Sequence, residues 1–240
     1  MQFGITGLGW LTATGRGRGT ESFSAPEGDI MIPARKDVFK DRDERFGRMD
    51  PFSKVGLAAI ALAVDDAGLA GYSGQDRITG ITASTQRGCL CTDIDFFHTV
   101  LADDGKWPSP HLFTYTLPSC VLGEAALRFG LTGPSYILHE QETFSLAGIR
   151  SALWELAARD AQIMIAGACD LPLPLDSFPA LEKYCPGSPG AAFIVLESSP
   201  EPEARVYATI QEKSDLIFVD GEQVDSLLEL IVTAQRSGNR

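Results

Sequence analysis

The 240-residue chain is 44% hydrophobic and 22% charged, the balance of a globular protein with room for one large α/β domain or two small ones. Its net charge of −12 argues against nucleic acid or an anionic membrane as a main partner, and no apolar run reaches the ~18 residues of a membrane span. The start lacks the basic-then-apolar pattern of a secretory leader, so a cytoplasmic protein is expected. Cys89, Cys91, Cys120, Cys169 and Cys185 are odd in number and lack C-x-x-C spacing, the usage of reduced thiols rather than of a disulfide framework or zinc site.

Residues 2–6 read as a strand, followed by Gly7-Leu8-Gly9-Trp10-Leu11-Thr12. A GxG after a strand invites a dinucleotide-binding reading, but Thr12 replaces the third glycine, and Gly15, Gly17 and Gly19 break any helix that would follow. Residues 13–47 form a polar excursion. Its basic run, Arg35, Lys36, Lys40, Arg42, Arg45 and Arg48, is interleaved with Asp37, Asp41, Asp43 and Glu44, so it reads as a solvated mixed-charge face before a docking site for an acidic partner. Pro51 opens a helix with an apolar face from Val55 to Ala67, closed by Gly68 or Gly71. A strand at 78–84 leads into Thr85-Gln86-Arg87-Gly88, then helix 90–101, an irregular segment from Trp107 to Pro118, and helix 119–129.

Gly133-Pro134 starts the next strand, carried by Tyr136, Ile137 and Leu138. From Thr143 onward Leu146, Ile149, Leu153 and Leu156 recur at helical spacing, giving a helix over 144–158. Between the two, His139, Glu140 and Glu142 occupy a strand-to-helix elbow, the place where many α/β enzymes hold a nucleophile. A metal site on these residues is not expected, because alternate strand residues face opposite ways and no fourth ligand is recognisable. A buried strand at 161–168, a Pro- and Gly-rich loop at 171–190, strands at 190–197 and 205–211, and a terminal helix over 224–234 complete the chain.

Several of these segments carry a resemblance. Thr6-Gly7-Leu8-Gly9, the Arg48-Met49-Asp50-Pro51-Phe52 helix start with Asp66-Ala67-Gly68 at its end, Ser109-Pro110 with Phe113 and Thr116, Gly133-Pro134 and the elbow, and Gly190 to Glu197 follow one another as in the N-terminal half of the β-ketoacyl synthases. The similarity runs over residues 1–211. It implies an α/β, thiolase-like fold, N-terminal half only, with a mixed five-stranded sheet and helices on both faces. Residues 1–211 would form that domain and 212–240 an extension ending in the terminal helix.

On this resemblance Glu142 falls on the nucleophilic cysteine. A carboxylate there keeps the charge–dipole geometry of a helix N-terminus, yet its acyl derivative would be a mixed anhydride, a poor carrier. Arg87 falls where an apolar side chain gates the acyl pocket, and Leu112 and Thr116 take tunnel positions. Tyr136, Ile137, Leu138, His139 and Glu140 match the strand that meets its counterpart across the dimer axis. His98, His111 and His139 match none of the second-half histidines, and that half is not expected in this chain. The resemblance therefore implies no enzyme activity of its own, no catalytic residue, no metal and no cofactor. It implies a chain-length-factor-like subunit whose full-length β-ketoacyl synthase partner acts on acyl groups carried by the phosphopantetheine of an acyl carrier protein. A malonyl-carrier-protein decarboxylase and a non-enzymatic scaffold homodimer are the other readings. Since a lone charge does not stay unpaired in an apolar tunnel, Arg87 is expected to pair with Glu142 or Glu140 and plug the cavity.

Overall fold

The computed structural model describes residues 1–25, 28–69, 77–102, 104–172, 179 and 187–238. Gly71 and Cys185 lie outside them, as does most of the loop expected at 171–190. The first strand, β1 (Phe3–Thr12), runs well past residue 6 with all ten residues buried. Two glycines make this possible. A Cβ on Gly7 would lie 2.3 Å from the Ala63 carbonyl oxygen, and one on Gly9 would lie 2.2 Å from the Ala63 nitrogen. Both are bare so that a helix can lie directly on the strand, and neither forms the turn that would face a dinucleotide.

β2 (Gly15–Arg18) doubles back antiparallel to β1. The excursion continues through α1 (Arg35–Val38) and a single 3-10 turn at Phe46–Arg48. It is held down by Phe39 and Phe46, both buried and packed edge to face at 5.8 Å. α2 (Pro51–Asp66) follows, with Pro51 in its first turn and Asp50 as its cap. One Asp50 oxygen accepts the Ser53 N–H at 2.9 Å, and the other accepts the Thr92 hydroxyl at 2.7 Å.

The chain then forms β3 (Thr79–Thr85), α3 (Leu90–Ala102), α4 (Pro110–Phe113), α5 (Cys120–Phe129), β4 (Ser135–His139), α6 (Ala147–Ala158), β5 (Ile163–Asp170) and β6 (Gly190–Glu197). It ends with β7 (Ala208–Lys213), β8 (Leu216–Val219), β9 (Glu222–Val224) and α7 (Leu227–Gly238). Val224, expected to open the terminal helix, closes β9 instead. The strands join one mixed sheet in the order β4-β3-β5-β6-β1-β7-β8-β9, with β2 paired to β1. β4 and β5 flank β3 in parallel, and the remaining pairs are antiparallel. The five strands from β4 to β1 are the sheet that was expected. Four more enlarge it to nine among the described residues, so 212–238 continues the same sheet rather than trailing from it.

Helices cover both faces. α2 and α5 pack on one, where Phe52, Leu57, Ile60, Val121 and Leu122 meet Ile81, Phe193 and Val195. α6 and α7 pack on the other, where Ile149, Leu153, Leu230 and Ile231 meet Ile5, Ile194, Ile210 and Ile217. Among the described residues no helix is long and apolar enough to cross a membrane.

Candidate functional site

The carboxyl ends of the three parallel strands β3, β4 and β5 lie side by side, the usual place for chemistry in a sheet of this kind. β5 ends on Asp170, which is 1% exposed. Its carboxylate accepts the Thr85 hydroxyl at 2.9 Å, the Gln86 N–H at 3.0 Å and the Arg87 N–H at 2.7 Å. Thr85 Oγ1 in turn accepts the Gly88 N–H at 2.8 Å, so one buried carboxylate shapes the whole turn after β3. Burial pushes the Asp170 carboxyl above its ordinary value, against the pull of these donors and of the Arg87 charge.

That turn packs against the elbow. A Cβ on Gly88, at φ 55, would lie 2.7 Å from Pro118 Cγ and 3.4 Å from His139 Cε1. The Glu140 N–H donates to the Thr85 carbonyl at 2.9 Å, and the Gln86 side-chain amide donates to the Gln141 carbonyl.

Arg87 is 9% exposed. Its guanidinium donates to the Leu171 carbonyl at 2.8 Å and to the Gly187 carbonyl at 2.6 Å. No ion pair within 4.0 Å joins it to Glu140 or Glu142, so the expected plug is not formed. Two convergent backbone carbonyls take the guanidinium fork instead, while the Asp170 carboxylate holds the backbone N–H of Arg87. Gly187 abuts Thr143, since a Cβ on it would lie 2.5 Å from Thr143 Oγ1. Arg87 thus braces the segment entering β6 beside the elbow.

The elbow departs from expectation at its second half. Helix α6 begins at Ala147, not at 144, and Glu142 is exposed five residues before it. Phe144 stands between them at φ 54, a left-handed conformation that costs a bulky residue about 1–2 kcal/mol. Its carbonyl accepts the Leu227 N–H at 2.9 Å, and Ser145 Oγ accepts the Ala147 N–H at 3.1 Å. The charge–dipole geometry expected for Glu142 is therefore absent. A cleft of about 230 Å³ on this side is lined by Glu140, Ser145, Arg150, Asp215 and Asp225. Arg150 closes it, reaching Glu212 at 3.0 Å and the Asp215 carbonyl at 2.8 Å.

Leu112 on α4 and Thr116 after it are both half-buried, and Thr116 Oγ1 donates to the Phe113 carbonyl at 2.9 Å. The segment is anchored by Tyr115, whose hydroxyl donates to Glu124 at 3.1 Å; burial and the Glu124 charge push Tyr115 up to about 12. It meets the turn after β3 through Pro118 against Gly88. Two of the six cations in the basic run of the excursion have carboxylate partners among the described residues. Arg45 pairs with Glu124 at 2.7 Å and Arg42 with Glu44 at 2.8 Å, and Asp41 is taken by Arg128 at 2.6 Å.

β4 pairs only with β3, so its outer edge is open among the described residues. Tyr136, Ile137, Leu138 and Glu140 are half-buried and His139 is exposed. Tyr136 donates its hydroxyl to Glu155 at 2.7 Å, and burial together with that bond pushes it up to about 12. No three His, Cys, Asp or Glu side chains among the described residues converge on a possible metal position. Asp170 is the site residue that the sequence reading missed. Its signal was a lone acid closing an otherwise apolar strand.

Comparison with known proteins gives this arrangement a context. The family "Beta-ketoacyl synthase, N-terminal domain" matches residues 33–189. A 3-oxoacyl-[acyl-carrier-protein] synthase 2 of Vibrio harveyi is 30% identical over 186 residues, 76% of this chain and 42% of that protein. Its namesake from Rhizobium meliloti (strain 1021) is 27% identical over 138 residues, 57% of this chain and 32% of that protein. The chain thus spans 32–42% of the length of these curated relatives. Among solved structures, the ishigamide ketosynthase/chain length factor superposes with a TM-score of 0.67 at 15% identity, over 88% of this chain and 66% of that one. A type II polyketide acyl-carrier protein in complex with its ketosynthase bound to the hexaketide gives 0.63 at 17%, over 87% and 61%. At these identities the two structures speak for the fold.

Proposed function

Because the chain belongs to the β-ketoacyl synthase N-terminal domain family, we propose that it is a noncatalytic member, a chain-length-factor-like subunit that pairs with an active β-ketoacyl synthase and helps to shape its acyl tunnel. The observation that carries the reading is residue 142. An exposed glutamate stands where the family resemblance places the nucleophilic cysteine, with no helix N-terminus beneath it. It has neither the thiolate chemistry of acyl transfer nor the geometry that activates it. Arg87, turned onto backbone carbonyls, leaves a cation where an acyl chain would need an apolar wall.

The partner follows from the same logic. The open edge of β4 offers unpaired backbone groups along a half-apolar strand, a surface that soluble proteins cover. A synthase of the same fold would present a matching edge. The names of the structural neighbours, a ketosynthase with a chain length factor and a ketosynthase with an acyl-carrier protein, support this pairing and a carrier-borne substrate handled by the partner.

Co-expression with a full-length β-ketoacyl synthase from the same organism tests it. Light scattering after size exclusion should show a one-to-one heterodimer with condensing activity that is lost when the partner's nucleophile is removed. A chain that stays monomeric beside such a synthase, or that condenses acyl groups alone, sinks the reading.

A further inference from the structure

Between β4 and α6 the backbone takes a form that its own residues do not call for. Thr143, Phe144, Ser145 and Leu146 include no glycine or proline, and Leu146 continues the apolar period of Ile149, Leu153 and Leu156. Phe144 is nevertheless held at φ 54, and α6 starts only at Ala147.

What holds it comes from the far end of the chain. The N–H of Leu227, the first residue of α7, donates to the Phe144 carbonyl at 2.9 Å. Part of the start of α7 is capped by its own residues. Ser226 Oγ accepts the Glu229 N–H at 3.2 Å, and Glu229 accepts the Asp225 N–H at 2.8 Å. The Leu227 N–H, one of the first-turn donors without an acceptor inside α7, is the one that reaches the elbow. The Phe144 ring is 3% exposed and shares an apolar cluster with Leu227, Leu230 and Ile231, each 0% exposed.

We propose that α7 is a latch on the elbow. Its first turn draws the Phe144 carbonyl out of the helical path and keeps residues 143–146 from adding a turn to α6, so residue 142 faces solvent. When α7 lifts, those residues join α6 and residue 142 arrives at a helix N-terminus, where unpaired N–H groups favour negative charge. The site is thus closed by conformation as well as by chemistry, and whatever displaces α7 reopens it. The inference rests on the assignment of residue 142 to the nucleophile position, but not on the identity of the partner.

A thiol at that position reports the state. In full-length E142C, alkylation of the peptide carrying the substitution is followed against pH by mass spectrometry. With the latch closed the introduced thiol should titrate near the ordinary value of about 8.5. Two second substitutions open it. L227P keeps the helix start, since proline is accepted at the first helical position, but removes the N–H. L230A keeps the N–H and loosens the packing, and it decides the matter alone should L227P fail to fold. In a double variant whose near-ultraviolet circular dichroism remains native, the thiol should titrate about one unit lower and alkylate several-fold faster at neutral pH. A depressed value in E142C alone, or no change in the folded double variants, overturns the latch. Either result leaves the heterodimer measurement standing, so the two readings fail separately.

Discussion

At the scale of single residues, two side chains carry the contrast between what the sequence disclosed and what it hid. Glu142 was legible as a departure, because an acid where the resemblance places the nucleophile stands out against the surrounding motif. Its distance from the helix was not legible, because that depends on a hydrogen bond to Leu227, 83 residues from Phe144. If residue 142 has no chemical role, E142Q should leave the turnover of the heterodimer within about tenfold, roughly 1.4 kcal/mol in barrier terms. Loss of turnover with the heterodimer intact would assign it one. Arg87 was legible as a charge but its partners were not, since sequence marks charges and not the carbonyls that a loop brings to meet them. Asp170 is the residue on which the turn depends. D170A strands three donors and should lower the unfolding free energy in urea by about 3 kcal/mol. The pH dependence has a defined sign. Burial raises the Asp170 carboxyl from 3.8, so the folded state binds its proton more tightly than the unfolded chain. That contribution is fully present below the unfolded value and is lost as the pH rises through the folded one. The stability deficit of D170N relative to the parent should therefore be larger near pH ~4 than at neutrality, and an equal deficit at both would contradict it.

At the scale of elements, periodicity found the long segments and failed at the short ones. α2, β3, α5, β5 and β6 were readable because their apolar spacing is unambiguous. β8 and β9 were not, being four and three residues long. A local signal existed for them: Asp220-Gly221, at φ 47 and 86, is the two-residue turn that favours a tight hairpin. The preceding turn, Ser214-Asp215, uses positive φ at residues that do not advertise it. The close approach of α2 to β1 makes its own prediction. G9A drives a methyl group into helix backbone that cannot move aside, and should destabilise the chain by about 3 kcal/mol in thermal or urea unfolding. A change under about 0.5 kcal/mol would mean that the helix is free to shift. On β4, L138K places a charge on the open edge, a device that blocks strand pairing. It should weaken association with the synthase at least tenfold in a titration while circular dichroism stays unchanged, and unaltered affinity would move the interface elsewhere.

At the scale of the whole molecule, the resemblance gave the central sheet and its two helical layers, while the stretch after β6 had to be seen. Residues 227–234 seat Leu227, Leu230, Ile231 and Ala234 at 0% exposure under the enlarged sheet. At about 1.5–3 kcal/mol for each of the three large side chains, their burial is a sizeable share of the ~5–15 kcal/mol that keeps a domain folded. A chain ending at residue 225 should accordingly unfold at a markedly lower urea concentration while keeping a cooperative transition, and an unchanged midpoint would show that α7 adds nothing to stability. The position of β1 in the sheet reaches furthest. The first strand made pairs with β6 and β7, and its Thr6 hydroxyl donates to Glu197, 191 residues later. At about 5–20 residues per second of synthesis, β1 emerges roughly 10–40 s before β6 and β7 exist. For that interval only Gly9 to Thr12 have a strand to join, the short β2, so the nascent chain carries the rest of a strand destined for the interior without its long partners. The ribosome, through the rate at which it makes the whole stretch from residue 13 to 213, sets how long β1 waits for those partners and is exposed to misassociation.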